Sequence, residues 1–420
     1  MRDILSKAKA LLKEYSLCDR CLGRQFANLS TGLSNLTRGR SIKVLLALEA
    51  SREEGDLSVL RCLARTGFKP ALLALEKRGL TLPKRETCYV CRGLFGKLDG
   101  LVNKALKLLE GYEFGTFLVG SRLPKEVLER EEELRRRFSL AEGESIKREV
   151  NRLVGKKLAK VTRKDVDFRD PDVTIILDIE KMEVEVEVKP LLVYGRYRKL
   201  MRGLAQSRGR GGERSVESII GEIIRRKVDG EEFRLHGAGR EDLDVRTLGP
   251  GRPFILEVLR PKTRRIDLDE VEELINSLAL GKVEVHGLRI ARREDVSRLK
   301  ALSQYLYKTY RALVKFDAPF EAGRLKAVEE EFNNVVVRQR TPLRVLHRRK
   351  DKVRVKKVYY VKAYPRGGSE AEFIIKCQGG LYVKELITGD EGRTRPNISE
   401  AIGRNVVRME LDIIDIEGLE

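Results

Sequence analysis

The sequence predicts an α+β fold. Residues 190–420 read as a mixed, largely antiparallel sheet with helices packed against it, and a smaller, mostly helical accessory region precedes them. Three features carry this reading. Strand-like and helix-like stretches alternate through the second half, separated by glycine-bearing turns. Two distant cysteine pairs in the amino-terminal part share one local pattern. The chain also carries 85 Lys and Arg against 64 Asp and Glu, a formal charge of +21. A phosphate backbone gives that excess a purpose that a small neutral metabolite does not. Heat adaptation would account for the total charge but not for its sign.

The chain starts Met1-Arg-Asp-Ile and continues as an amphipathic run rather than a signal core, and no stretch is long and apolar enough to span a membrane. A cytoplasmic protein with no membrane partner is expected. Cys18-Asp-Arg-Cys21-Leu-Gly and Cys88-Tyr-Val-Cys91-Arg-Gly repeat the pattern Cys-x-x-Cys-x-Gly. Tetrahedral zinc takes four soft ligands, and a two-residue gap lets one tight turn present two sulfurs. One such pair alone would equally suit redox chemistry. Two matching pairs favour a structural zinc held by Cys18, Cys21, Cys88 and Cys91, with no position left for a catalytic water. Cys62 and Cys377 lack the spacing and read as buried small hydrophobes.

Between the pairs, Ser41–Glu54, Val59–Arg65 and Pro70–Lys77 read as helices. Residues 101–110 and 124–139 and the segment Ser145–Leu158 read as further helices. The run from Asp170 turns into a strand, and Glu183–Lys189 alternates Glu with Val, a half-buried strand with an acidic outer face. This divides the first half into a zinc-binding helical region, 1–100, and an α/β segment, 101–189, whose start could lie as early as residue 60. Its helices and strands, with the Pro-Asp turn at 171–172, resemble the THUMP domain found in several tRNA-modifying enzymes. That resemblance implies tRNA binding without chemistry of its own.

After Pro190 the composition changes. The stretch Tyr194–Arg214 sets six arginines and one lysine against one acid, broken by glycines. Read as a mobile loop, it offers Tyr194 and Tyr197 to unpaired bases, and Arg196, Arg198, Lys199, Arg202 and Arg208 to phosphates. Ser215–Arg226 reads as a helix. Phe233–His236 and Phe254–Leu259 read as strands flanking a long turn that holds Gly237, Gly239, Gly249 and Gly251. Arg240, Glu241, Asp242, Asp244 and Arg246 lie within it. A nucleophilic carboxylate must be ionised, exposed to substrate and fixed in direction, which neighbouring arginines at a strand end can provide. On chemistry alone, a charged turn with an Asx cap explains the same residues almost as well.

Gly239-Arg-Glu-Asp242 resembles the catalytic-aspartate motif of pseudouridine synthases. The longer run Gly239–Phe254, with Gln339–Arg349 and Tyr194–Arg202, is similar to the archaeal and eukaryotic tRNA pseudouridine synthases that act at positions 54 and 55 of the T loop. The resemblance spans nearly the whole chain. It implies the pseudouridine synthase fold for 190–420, plus a zinc-stabilised accessory domain with a THUMP-like α/β unit. Matched residue by residue, it makes Asp242 the catalytic nucleophile. Tyr310 of the Lys-x-Tyr-x-Ala strand Lys308–Ala312 becomes the ring that stacks on the target uracil. Lys384, where related enzymes often carry arginine, becomes the cation paired with the carboxylate, as a point charge rather than a two-pronged fork. Arg240, Arg344, Arg348 and Arg349 join the expected RNA contacts.

Strands near 283–290, 309–316, 353–362, 371–377 and 405–416 and helices near 294–305, 321–334 and 380–387 complete the expected sheet, with Val353 and Val355 among its buried positions. No Gly-x-Gly-x-x-Gly and no Lys-Ser/Thr phosphate loop is found, so no organic cofactor is expected. The expected partner is tRNA, bound by a monomer, with no DNA target. The competing reading is a tRNA-binding or chaperone protein whose aspartate turn is merely structural.

Overall fold

A computed structural model describes residues 2–29, 31–209, 214–302 and 305–418. Residues 210–213, part of the basic stretch above, lie outside the described residues. The chain divides into two compact units, Met1–Lys189 and Pro190–Glu420.

The first unit opens with helices Arg2–Glu14, Asp19–Arg24, Asn35–Ala50, Leu57–Arg65 and Lys69–Glu76. The helix expected over Ser41–Glu54 begins at Asn35, because the Ser34 hydroxyl accepts the Thr37 amide at 3.0 Å and satisfies a donor the helix start leaves free. Helices Leu98–Leu109, Lys125–Arg137 and Ile146–Thr162 accompany a four-stranded sheet of β1 (Thr116–Arg122), β2 (Asp165–Val166), β3 (Val173–Asp178) and β4 (Glu183–Val188), in the order β2-β1-β3-β4. β1 pairs with β2 and β3 in parallel, and β4 closes the edge antiparallel. β1 has no counterpart among the strands expected from sequence, yet its alternation buries Phe117 and Val119 in the core of this unit.

The second unit is built on a ten-stranded sheet. Its strands are β5 (Leu191–Lys199), β6 (Glu232–Gly237), β7 (Arg246–Leu259), β8 (Val283–Ile290), β9 (Tyr307–Phe316), β10 (Val336–Arg340), β11 (Val353–Gly367), β12 (Glu370–Gln378), β13 (Thr394–Arg395) and β14 (Val406–Glu417). The order is β13-β10-β11-β12-β9-β14-β7-β5-β8, with β6 paired to β7. The pairing is antiparallel except where β14 runs parallel to β7. Helices Val216–Lys227 and Leu268–Leu278 bury apolar residues into one core. Helices Ala322–Glu331, Val383–Thr388 and Ile398–Ile402 do so into the other.

Three local expectations change. Tyr194–Lys199 is strand rather than loop: Leu191, Val193, Gly195, Tyr197 and Lys199 are buried at every second position, the period of a pleated strand. β7 starts at Arg246, so Gly249 and Gly251 lie inside it, and the turn after β6 is short. At Gly251, with φ of 72°, a Cβ would come within 2.8 Å of the Tyr197 carbonyl oxygen, so glycine lets β7 approach β5. Val353 and Val355, expected inside, are 61% and 57% exposed.

Candidate active site

The turn between β6 and β7 carries Asp242 to the wall of a cavity of about 510 Å³. Arg240, Asp244, Arg344, Arg348, Arg349, Tyr382 and Lys384 share that wall. The Asp242 carboxylate is 34% exposed and accepts a charge-assisted contact from Nη1 of Arg344 at 2.9 Å. Lys384 stands 3.6 Å away and binds Asp244 more closely, reaching both its carboxylate oxygens at 2.7 Å. Burial works against charge on Asp244, yet the Lys384 ammonium holds its carboxyl below the usual range. The expected pairing of Lys384 with Asp242 is therefore the looser of two, and Arg344 holds the nearer place.

Arg344 lies on a 3-10 turn, Leu343–Arg348, and is itself held from behind. Its Nε donates to Glu385 at 2.6 Å, and Glu385 is only 3% exposed. One guanidinium thus spans two carboxylates through separate nitrogens, Nη1 toward Asp242 and Nε toward Glu385, a spread that its planar fork provides.

Beneath the turn lies a buried polar scaffold. Glu241, next to Asp242, pairs with Arg252 at 2.8 Å, and both side chains are fully enclosed. The Tyr197 hydroxyl donates to the Glu241 carboxylate at 2.9 Å, while Gln206 donates to the Tyr197 hydroxyl and to the Gly239 carbonyl. Lys199 donates to the carbonyls of Leu204, Asp242 and Leu243 at 2.9, 3.0 and 3.1 Å. Gly239 has φ of 86°, and a Cβ there would come within 3.0 Å of the Arg252 guanidinium and the Lys308 ammonium. The aspartate is thus fixed through its own backbone as well as its carboxylate.

The expected RNA contacts separate into two groups. Arg240, Arg348 and Arg349 are exposed at the cavity wall, beside Arg344. The residues expected in a basic loop are mostly engaged elsewhere. Tyr197 and Lys199 are 0% exposed, a correction to their assignment to bases and phosphates, because the β5 pleat turns them into the core beneath the turn. Arg196 donates to the carbonyls of Pro250, Gly251 and Ile416. Arg198 pairs with Glu284 at 2.5 Å. Arg202 binds Asp412 and the carbonyls of Asp244 and Leu411. The Tyr194 ring is covered by Arg289 at 4.3 Å, and Arg208 lies 4.1 Å from the Phe233 ring centroid.

Tyr310 is placed in the sheet, 9% exposed, between cross-strand neighbours Ile375 and Ile413, and it does not line the cavity. Burial raises the pKa of its phenol. Tyr382 does line the cavity, with the Arg354 guanidinium 5.3 Å from its ring centroid. Its sequence signal is present in Gly-Leu-Tyr-Val-Lys384, two residues before the expected cation. Lys308, two residues before Tyr310, is 7% exposed, and burial together with the Arg252 charge pushes its pKa down to about 7.

In the first unit, the sulfurs of Cys18, Cys21, Cys88 and Cys91 lie within 4.8 Å of one another, the Cys18 and Cys91 sulfurs 3.7 Å apart. A tetrahedral zinc with bonds of about 2.3 Å separates its sulfurs by about 3.8 Å. All six cysteines are free thiols. The Cys21 amide donates to the Cys18 sulfur at 3.4 Å and Arg24 donates to the Cys21 sulfur at 3.6 Å, bonds that favour thiolate ligands. The cluster fits a metal ion, and four sulfurs suit zinc.

Comparison with known proteins agrees across both units. The family profile described as "Pus10, C-terminal" matches residues 192–417, and "Pus10 THUMP domain, archaeal" matches 101–178. A protein named tRNA pseudouridine synthase Pus10 from Thermofilum pendens is 45% identical over 97% of this chain and 94% of its own length. Proteins of the same name from Methanopyrus kandleri and Methanothrix thermoacetophila are each 40% identical, covering 98% and 99% of this chain and 98% and 95% of their own lengths.

Proposed function

This chain belongs to the Pus10 family of tRNA pseudouridine synthases, and from that premise we propose that it isomerises uridine in the T loop, at position 54, 55 or both, with Asp242 as the nucleophile. The reaction is an isomerisation. The N1–C1′ bond of uridine breaks, the uracil turns, and a C5–C1′ bond forms, after which C5 gives up its proton and N1 gains one. The observation that supports these roles is an aspartate whose backbone is pinned from below by Lys199 and whose carboxylate meets Arg344 and Lys384 at the wall of a basic cavity.

In this reading Arg344 and Lys384 are positioning residues, holding the Asp242 carboxylate aimed until the base arrives. Arg240, Arg348 and Arg349 meet phosphates at the rim. The target uridine must leave its stack to reach the aspartate, and Tyr382 supplies a half-buried ring at the cavity wall against which it rests. Tyr310 lies within the core of the sheet. The zinc-holding region serves folding and RNA binding, and the chemistry needs no electron or group carrier.

The test compares wild type with Asp242→Asn on an unmodified tRNA transcript, reading pseudouridine by position and RNA affinity in parallel. Wild type forms pseudouridine in the T loop, and the variant binds equally and forms none. Tight binding by both proteins with no product from either would return the aspartate turn to a structural role.

A further inference from the structure

Within the unit Met1–Lys189, a cavity of about 790 Å³ opens beside the cysteine cluster. It lies among the helices Asp19–Arg24 and Asn35–Ala50, the turn at 66–68 with the start of helix Lys69–Glu76, and the segment 85–96. Part of its charge is matched. Lys43 pairs with Asp19 at 2.9 Å, Arg20 with Glu149 at 3.2 Å, and Glu86 with Arg65 at 3.6 Å. Arg40, Lys69 and Arg85 are exposed, and among the described residues none of their side chains has an ion pair.

Two further features mark this as a binding site rather than a charged surface. Ser16, 5% exposed, lines the cavity with a hydroxyl that has no hydrogen-bond partner among the described residues. A half-buried aromatic ring, Phe95, shares the wall. Spare cations beside an aromatic face are the means by which proteins hold unpaired nucleotides. The volume falls in the range of about 300–1,000 Å³ typical of small-ligand sites, which admits a nucleotide and excludes a duplex.

We propose that this cavity is a second RNA site, which takes an unpaired nucleotide of the tRNA by its phosphate, with the base against Phe95. The proposal rests on the tRNA reading above. A four-thiolate metal centre is itself anionic, and the experiment separates charge balance at that centre from RNA binding.

The full chain is compared with the triple variant Arg40→Gln, Lys69→Gln, Arg85→Gln, and separately with Phe95→Leu. Affinity for an unmodified tRNA transcript is measured over a range of salt, alongside metal content and the single-turnover rate at saturating tRNA. The triple variant should bind at least tenfold more weakly, its salt dependence shallower by about 0.7–0.9 for each phosphate no longer neutralised. Phe95→Leu should weaken binding about tenfold. Metal content and the saturated rate should not change in either. Unchanged affinity and salt slope in the triple variant would overturn the proposal, and so would loss of metal at equal RNA affinity. If wild type binds tRNA but forms no pseudouridine, the enzymatic reading fails, while the affinity difference still decides this one.

Discussion

Lys199→Met isolates the link between buried structure and catalysis. The Lys199 ammonium is 0% exposed and donates to three carbonyls, those of Leu204, Asp242 and Leu243. Methionine keeps the length and apolar stem and deletes the donors. Two of the carbonyls keep another partner: Leu243 also accepts the Gly203 amide at 2.8 Å, and Asp242 the Val245 amide at 3.2 Å. Among the described residues the Leu204 carbonyl is left without one, at about 1–3 kcal/mol for a buried unsatisfied group. Deleting the charge-assisted bonds costs more, while removing a buried charge recovers part of it, since burial already pushes the Lys199 pKa down. The net is a destabilisation of about 2–4 kcal/mol, read as a lower denaturation midpoint at unchanged slope. The turn then loses its anchor at Asp242 itself, and a carboxylate displaced by about 1 Å loses roughly a hundredfold in rate. Single-turnover conversion of a tRNA transcript at saturation should fall by about that factor, with affinity held within twofold. The opposite pattern, weaker and less salt-dependent binding at an undiminished saturated rate, would refute the reasoning and make Lys199 a phosphate ligand.

Other predictions follow from the same geometry. Arg344→Ala should slow saturated conversion by about two orders of magnitude, and Arg344→Lys should recover little, because a single nitrogen does not reproduce the separate bonds that Nη1 makes to Asp242 and Nε to Glu385; full activity in the lysine variant would remove the two-carboxylate role. Gly239→Ala should cost about 1–3 kcal/mol and much of the rate, as it adds a Cβ at φ of 86° against Arg252 and Lys308; a wild-type melting temperature would contradict it. Lys308 has its pKa lowered from 10.5 to about 7, by burial first and the Arg252 charge second, with Cys377 and Glu241 opposing. The unfolded chain therefore holds more protons between those values, so the Lys308 contribution to stability rises with pH from about 7 to 10.5 and is lost as pH falls. Lys308→Met should accordingly stabilise by a few kcal/mol at pH 6 and progressively less toward pH 10; a gain independent of pH would exclude the titration. Cys88→Ser, or strong chelation, should release the metal and melt the helical unit around it, seen by circular dichroism; retention of helix after complete metal loss would sink the structural role.

The aspartate turn is legible in the sequence because its residues are contiguous: Gly239, Arg240, Glu241 and Asp242 form one motif, and the glycine meets a real steric need at positive φ. The cysteine pairs are legible for the same local reason, although helices separate them. Partners far apart in sequence are not. Arg344 reads as a phosphate ligand, since nothing in Gln339–Arg349 reveals that folding brings its guanidinium to Asp242 and Glu385. Tyr310 sits on the expected strand, but on the face of that strand that packs into the core of the second unit, which leaves it 9% exposed.

The basic stretch after Pro190 shows why charge density misleads where pattern does not. Counting charges makes Tyr194–Arg202 an RNA loop, while the alternation that buries Gly195, Tyr197 and Lys199 is present in the sequence, disguised because two of the inward positions are polar. A strand normally announces its inner face with apolar side chains. Here the inner face is polar because it must bind a polar object, the backbone and carboxylate of the Glu241–Asp242 turn. Arg252, fully buried on β7 against Glu241, follows the same logic. Buried charges are seldom a net gain in stability, so their gathering beneath one turn is better explained by what it holds in place. Exchanging Tyr197 for Phe tests this: the ring remains, the bonds to Glu241 and Gln206 vanish, and the saturated rate should fall severalfold with little change in RNA affinity. An unaltered rate with weakened RNA binding would instead give the tyrosine back to the RNA.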